Sequence, residues 1–309
     1  MKKYIIPFLI FSTISCNSQS PQSSSISGFD VSVDEESILF SLNQGGDTRI
    51  LEMNIENGDQ TVIKDSEINT FYSNPRYSLD GDAIVFIEYD KKDLQNSLLC
   101  IAQSNGANSQ YLVEGKGIIS EAIFSEFKNE LLFCKANEYS KSSPIGVKAA
   151  HGYDIYSFNL SNDSITKLSD LNAYSLHQIF EIDTSNILLH LGSGKDGGLM
   201  LFNKEEPDKL QKIVPKSNPR KEVNDLFDTP IYSKRLNKMA FIAPYQLYIM
   251  DMDSKEASLL FDNRGGAHVD YINFLEKKKK VIFVIKNDPN FYTINLDGSG
   301  LEKIEVRGW

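Results

Sequence analysis

Short apolar triplets recur along this chain at nearly even spacing: Ile38-Leu39-Phe40, Ile84-Val85-Phe86, Leu131-Leu132-Phe133, Ile187-Leu188-Leu189, Met239-Ala240-Phe241 and Val281-Ile282-Phe283. They start 46, 47, 56, 52 and 42 residues apart. A period in this range predicts an array of small sheets. Around each triplet the same order recurs, a strand, a tight turn, the triplet strand, a variable loop, a third strand, a tight turn and a fourth strand, here called a to d. The c strands are predicted over Ile50–Ile55, Leu98–Gln103, Asp154–Leu160, Leu199–Asn203, Gln246–Met252 and Phe291–Leu296, all rich in β-branched, aromatic and aliphatic residues. Asn57-Gly58, Asn105-Gly106, Asn162-Asp163, Asp253-Ser254 and Asp297-Gly298 follow as two-residue hairpin signals, with Glu205-Glu206-Pro207 in the fourth repeat. The pattern is that of an all-β chain whose four-stranded antiparallel sheets stand as blades around a channel. Phe29 to Val306 holds six complete sets, which closes the ring by packing the first blade on the last without exchanging a strand. A second phase, in which Ser25–Val33 completes the last sheet, stays open.

The second repeat carries the fullest signature, Asn74-Pro75-Arg76-Tyr77-Ser78-Leu79-Asp80-Gly81-Asp82-Ala83-Ile84-Val85-Phe86. It resembles the WD-type repeat of TolB-like propellers, in which a proline opens strand a, Ser-x-Asp-Gly turns into strand b, and a segment like Gly152-Tyr153-Asp154-Ile155-Tyr156 begins strand c. The resemblance spans residues 28–306 and is sharpest in repeats two and three. It implies a six-bladed β-propeller.

In such a ring the a–b and c–d turns share one face and the b–c and d–a connections share the other. The insertions all fall on the second face: the b–c loop Lys135–Tyr153, the d–a connection Pro215–Phe227, and Gly192–Gly198. Long loops on a rigid scaffold are where recognition sits. The candidate partner-binding residues are therefore Tyr139, Lys148 and His151 on the first, Arg220 and Lys221 on the second, and His177 and His268 at the starts of two a strands. Asp228 takes a comparable place, but no ligand spacing ties it to the two histidines, and no metal is expected.

Composition narrows the class. The formal net charge of −10 and pI near 5.0 repel phosphate backbones, so nucleic acid is not an expected partner. Lys277-Lys278-Lys279-Lys280 reads as a solvated turn. At the amino terminus, Lys2 and Lys3 precede the apolar stretch Tyr4–Ile14, too short for a bilayer span and shaped like an export signal. Thr13-Ile14-Ser15-Cys16 resembles the bacterial lipobox, although Thr13 stands where that family prefers Leu; the resemblance implies lipidation of Cys16. Residues 16–27, rich in Ser and Gln, suit a flexible tether. The expected order is a signal peptide over 1–15, a tether over 16–27 and a propeller over 28–309. Cys100 and Cys134 read as packed thiols, with a disulfide possible but not indicated.

Catalytic motifs are missing. No Gly-x-Ser-x-Gly elbow, His-Glu-x-x-His, Walker loop or Gly-x-Gly-x-x-Gly occurs. The leading expectation is a non-catalytic, lipid-anchored envelope propeller, exported and anchored to the outer membrane, that uses no cofactor. It would bind an envelope protein, peptide or glycan through its loop face and channel mouth. The alternative is a metal-dependent enzyme acting on an acidic polysaccharide, because propellers related to this repeat include oligogalacturonate lyases, of which His177-Gln178 is a faint echo.

Overall fold

The computed structural model describes residues 24–114, 117–141, 148–192, 197–216, 227–243 and 245–307. The described residues form six four-stranded antiparallel sheets and no helix. The first blade is β1 (Ser24–Val31), β2 (Ser37–Gln44), β3 (Asp47–Asn54) and β4 (Gln60–Lys64), and the second β5 (Thr70–Tyr77), β6 (Ala83–Asp90), β7 (Asp93–Gln103) and β8 (Gln110–Val113). The third is β9 (Ile118–Phe124), β10 (Glu130–Lys141), β11 (Lys148–Asn159) and β12 (Ile165–Lys167), and the fourth β13 (Ser175–Glu181), β14 (Asn186–Gly192), β15 (Gly198–Asn203) and β16 (Leu210–Lys212). The fifth is β17 (Asp228–Ser233), β18 (Lys238–Ala243), β19 (Gln246–Asp251) and β20 (Ala257–Asp262), and the sixth β21 (Val269–Leu275), β22 (Lys280–Ile285), β23 (Phe291–Asn295) and β24 (Glu302–Ile304). Each sheet pairs its strands in chain order, so the predicted six-bladed all-β fold and the a-b-c-d order both hold.

The triplets explain the ring. Every triplet residue lies in a second strand and is fully buried or within 1% of it. Ile38 and Phe40 pack into a cluster with Ile282 and Phe291 of the sixth blade, whereas Leu39 between them packs with Tyr72 and Ile84 of the second. The same division recurs in all six blades: outer triplet residues face the preceding blade, the central one the next. A strand covered on both faces reads as an unbroken apolar run, which is why alternation is absent there.

Closure follows the first of the two phases. Strand β1 pairs with β2 of its own sheet, which excludes its completing the last one. The Phe291 ring lies 5.2 Å from both Phe29 and Phe40, edge to face with each. The backbone N–H of Lys277 donates to the Glu35 carboxylate at 2.7 Å, so the lysine run is a turn as predicted and also docks on the first blade.

Four local expectations need correction. Ser24–Ser27, read as the end of the tether, forms the first half of β1. Pro75 does not open its strand but sits at a bulge inside β5, where a channel-facing sheet edge tolerates the missing N–H. The c–d connections are longer than two residues, running for example over 55–59 and 252–256. They are closed by Asn or Asp at the end of strand c, whose carbonyl or carboxylate oxygen accepts the following backbone N–H groups, as Asn54 does from Glu56 and Asn57 and Asp251 from Asp253 and Ser254. Finally, Lys135–Tyr153 is not a loop: β10 and β11 run on together to Lys141 and Lys148 as one long hairpin, because each supplies the other's ladder.

Candidate functional site

The inner strands β1, β5, β9, β13, β17 and β21 leave their free edges facing the channel, and each breaks register with its neighbour once. At these bulges Gly28, Asn74, Gln178 and Thr229 take positive φ, which re-aims the side chains that follow. Side chains then bridge between blades: Ser41 Oγ donates to the Tyr72 carbonyl, Asn74 Nδ2 to that of Ser120, and Ser120 Oγ to that of Leu176.

Just past each bulge, one residue stands opposite the central triplet residue. The six are Asp30, Arg76, Ile123, Phe180, Ile231 and Asn273. They form a ring that is polar across blades six, one and two and apolar across blades three, four and five. In the polar half, Arg76 donates to Glu121 and to the Phe29 carbonyl, while Asp30 accepts from Asn273 Nδ2 at 2.8 Å and from the Tyr77 N–H at 3.0 Å. Burial pushes the Asp30 and Glu121 carboxyls above their usual range, with Arg76 opposing the shift in both.

Two cavities open along the axis, and Tyr271 is the one described residue that lines both. The vestibule on the b–c and d–a face has a volume of about 570 Å3 and is walled by rings, those of Phe71, Tyr89, Tyr153, His177 and Tyr271, with Lys91 at its edge. Phe71 packs 6.2 Å from Tyr89, and Tyr153 5.9 Å from His177. The cavity on the a–b face, about 180 Å3, is lined by the amphipathic ring.

Of the residues singled out in the sequence, His177 lines the vestibule. Tyr139, Lys148 and His151 share the β10–β11 hairpin, where His151 stacks on Tyr174 at 6.3 Å, lies 3.4 Å from Glu138 and 2.6 Å from Ser140 Oγ. His268 packs on the Tyr245 ring at 4.2 Å on the same face. Cys16, Arg220 and Lys221 lie outside the described residues. Thus the structure places the three hairpin residues on one hairpin, whose strand β11 also carries Tyr153, the neighbour of His177 in the vestibule wall.

Sequence reading missed His190, which is the cross-strand partner of His177 and whose Nδ1 lies 2.8 Å from Asp228 Oδ1. His177 is exposed to the open vestibule, yet desolvation by the channel walls pushes its imidazole below the usual pKa, Asp228 opposing and His190 adding to the shift. Burial alone would raise the Asp228 carboxyl, but the His190 contact, the Thr229 N–H and the His177 charge together outweigh it and hold the group low. Among the described residues no group of three or more His, Cys, Asp and Glu side chains is arranged to hold a metal ion. Cys100 and Cys134 are unpaired, each in a different blade-to-blade core, and burial pushes both thiols up.

No protein-family model matches the sequence, and a search of curated proteins finds no match. Solved structures do match in shape. The chain superposes on TolB from Acinetobacter baumannii with a TM-score of 0.65 at 11% identity, over 91% of this chain and 63% of that one, so it spans less than two thirds of that protein's length. It matches a chain of a nidogen/laminin complex with a TM-score of 0.63 at 5% identity, covering 91% and 92% of the two chains. It matches an oligogalacturonate lyase in complex with manganese with a TM-score of 0.57 at 12% identity, covering 87% and 76%. The chain is a six-bladed β-propeller of the TolB-like fold.

Proposed function

We propose that this is an exported, lipid-anchored propeller of the bacterial envelope that binds a protein, peptide or glycan chain on its b–c and d–a face. The observation that carries the reading is the ring-walled vestibule at the channel mouth, beside which the β10–β11 hairpin projects. Aromatic faces supply contact area at little entropic cost and suit apolar side chains and sugar faces alike. Support for a binding role comes from the TolB-like shape and from the nidogen/laminin match, a propeller solved in a protein complex. Export and the outer-membrane anchor rest on the signal-like amino terminus and Cys16.

The second reading, a lyase acting on an acidic glycan, has the shape match in its favour. His177, His190 and Asp228 are its nearest residues, and they do not form a metal-holding group; no catalytic step follows from them. Metal analysis of the purified chain separates the two readings, stoichiometric transition metal supporting the enzyme.

The binding reading is tested by recovering envelope components on the full chain. One dominant component, lost when Lys148, His151, Arg220 and Lys221 are changed together, supports it; unchanged recovery removes the loop face as the binding surface. Cys16→Ser is expected to release the protein from the membrane in soluble form, and a variant that stays bound overturns the anchor.

A further inference from the structure

The five rings of the vestibule come from four blades, the second, third, fourth and sixth, and between them they leave little backbone to read. Carbonyls along this wall are already taken by side chains. Asn74 Nδ2 donates to the Ser120 carbonyl, Ser120 Oγ to that of Leu176 and the Tyr89 hydroxyl to that of Ile119. A peptide that docks by adding a strand to a sheet edge needs such acceptors free. Recognition here therefore falls to side chains.

Several of those side chains keep their bonding capacity unused. Among the described residues, the hydroxyls of Ser27, Tyr153 and Tyr271 and both ring nitrogens of His177 have no hydrogen-bond partner. They are open to the cavity, unlike Ser73 Oγ and Asn74 Oδ1, which are sealed from solvent and out of a ligand's reach. Tyr153 is 5% exposed and packs in the core between the third and fourth blades, so its free hydroxyl is held in place. Burial pushes both phenols up and desolvation holds the imidazole low, which keeps all three groups neutral near neutral pH. Each hydroxyl is donor and acceptor at once, as is the neutral imidazole with its two nitrogens. No carboxylate lines the vestibule, and Lys91, at its edge, already donates to the Gly46 carbonyl.

We infer that the vestibule takes the end of a neutral glycan chain, its sugar rings lying against Phe71, Tyr89 and Tyr153 and its hydroxyls exchanging hydrogen bonds with Tyr153, Tyr271 and His177. Sugar hydroxyls are donor and acceptor too, so each pair can turn its protons to suit. The C–H faces of a pyranose meet the negative faces of the aromatic rings. An acidic glycan would bring a carboxylate on each sugar to a wall that offers one lysine, and would lose hydration without gaining partners. The volume of about 570 Å3 lies in the range of small-ligand sites. This inference rests on the loop-face reading and narrows its ligand to one class.

Calorimetric titration of the full chain with cellopentaose, mannopentaose and N-acetylated chitopentaose, against pentagalacturonate as the acidic chain of equal length, tests the class. The expected result is saturable one-to-one binding of at least one neutral chain, tighter than pentagalacturonate by about tenfold or more. Tyr153→Phe and Tyr271→Phe keep the ring and remove only the hydroxyl, and each is expected to weaken the neutral chain about fivefold. Tyr232→Phe, on the opposite face, leaves it unchanged. Thermal melts confirm that the variants fold. No saturable heat with any neutral chain, tighter binding of pentagalacturonate, or full affinity in the folded double variant Tyr153→Phe with Tyr271→Phe overturns the proposal. If neutral chains give no heat while the hairpin substitutions still abolish recovery of an envelope component, the glycan inference falls and loop-face binding stands; loss of both removes the loop face itself.

Discussion

Arg76 of the second blade reaches Glu121 of the third with Nη2 2.9 Å and Nε 3.1 Å from a single carboxylate oxygen, and the Glu121 side chain is 1% exposed. Removing one partner of such a pair leaves the other charged and buried. Glu121→Ala is expected to lower stability by about 3–5 kcal/mol, whereas the paired replacement Arg76→Met with Glu121→Leu loses much less. Denaturant unfolding of the two variants checks this; equal losses would show that the pair is not what the channel wall depends on.

Ring closure concentrates on Phe291, which meets Phe29 and Phe40 of the first blade. Phe291→Ala is expected to cost about 3–5 kcal/mol, the range for an emptied aromatic core site. Amide exchange should then show faster opening in the first and sixth blades than in the third and fourth. Uniform acceleration would argue against a local seam.

Gly28 sits at the β1 bulge with φ +111°, and a Cβ there would lie 2.3 Å from Asn74 Oδ1 and 2.7 Å from Asn74 Cα. Gly46 also has positive φ, +94°, but no atom within 4 Å of its built Cβ. Gly28→Ala should therefore destabilise by more than Gly46→Ala, which carries only the backbone strain of about 1–3 kcal/mol. Melting temperatures of the two variants decide it, and equal shifts would remove the close approach of blades one and two as the cause.

Desolvation by the channel walls lowers the His177 imidazole from its ordinary value, and because the side chain stays exposed to the open vestibule the effect on stability is small. Between the folded and the unfolded pKa the unfolded chain binds more protons, so the contribution of His177 is fully present above the unfolded value near 6.5 and is lost as pH falls through that window. His177→Gln should flatten the decline of stability on acidification below neutral pH. A pH series of unfolding midpoints measures it, and an unchanged slope would contradict the desolvation of this imidazole.

The fold was legible because each b strand is gripped between two blades and so spells out an apolar triplet, and because Asn and Gly mark the c–d turns. Channel residues were not legible in this way. Asp30 stands between Phe29 and Val31 and Asn273 between Ile272 and Phe274, where each passes for the solvent-facing position of an alternating strand, and with Arg76 they emerge only when the six repeats are aligned on the central triplet residue. His190 is flanked by Leu189 and Leu191, which gave it the appearance of a core position. The β10–β11 extension left no alternating pattern over Asn137–Lys141, since its two strands are held by mutual pairing with little core contact.

Photo-crosslinking from the loop face and from the outer rim of the ring is the most direct test of loop-face recognition. A photoreactive residue in place of Tyr139, Lys91 or His177 should capture the same envelope component, and one in place of Lys303 on the outer strand β24 should capture none. Capture that is equal at all four positions, or confined to Lys303, would contradict the account.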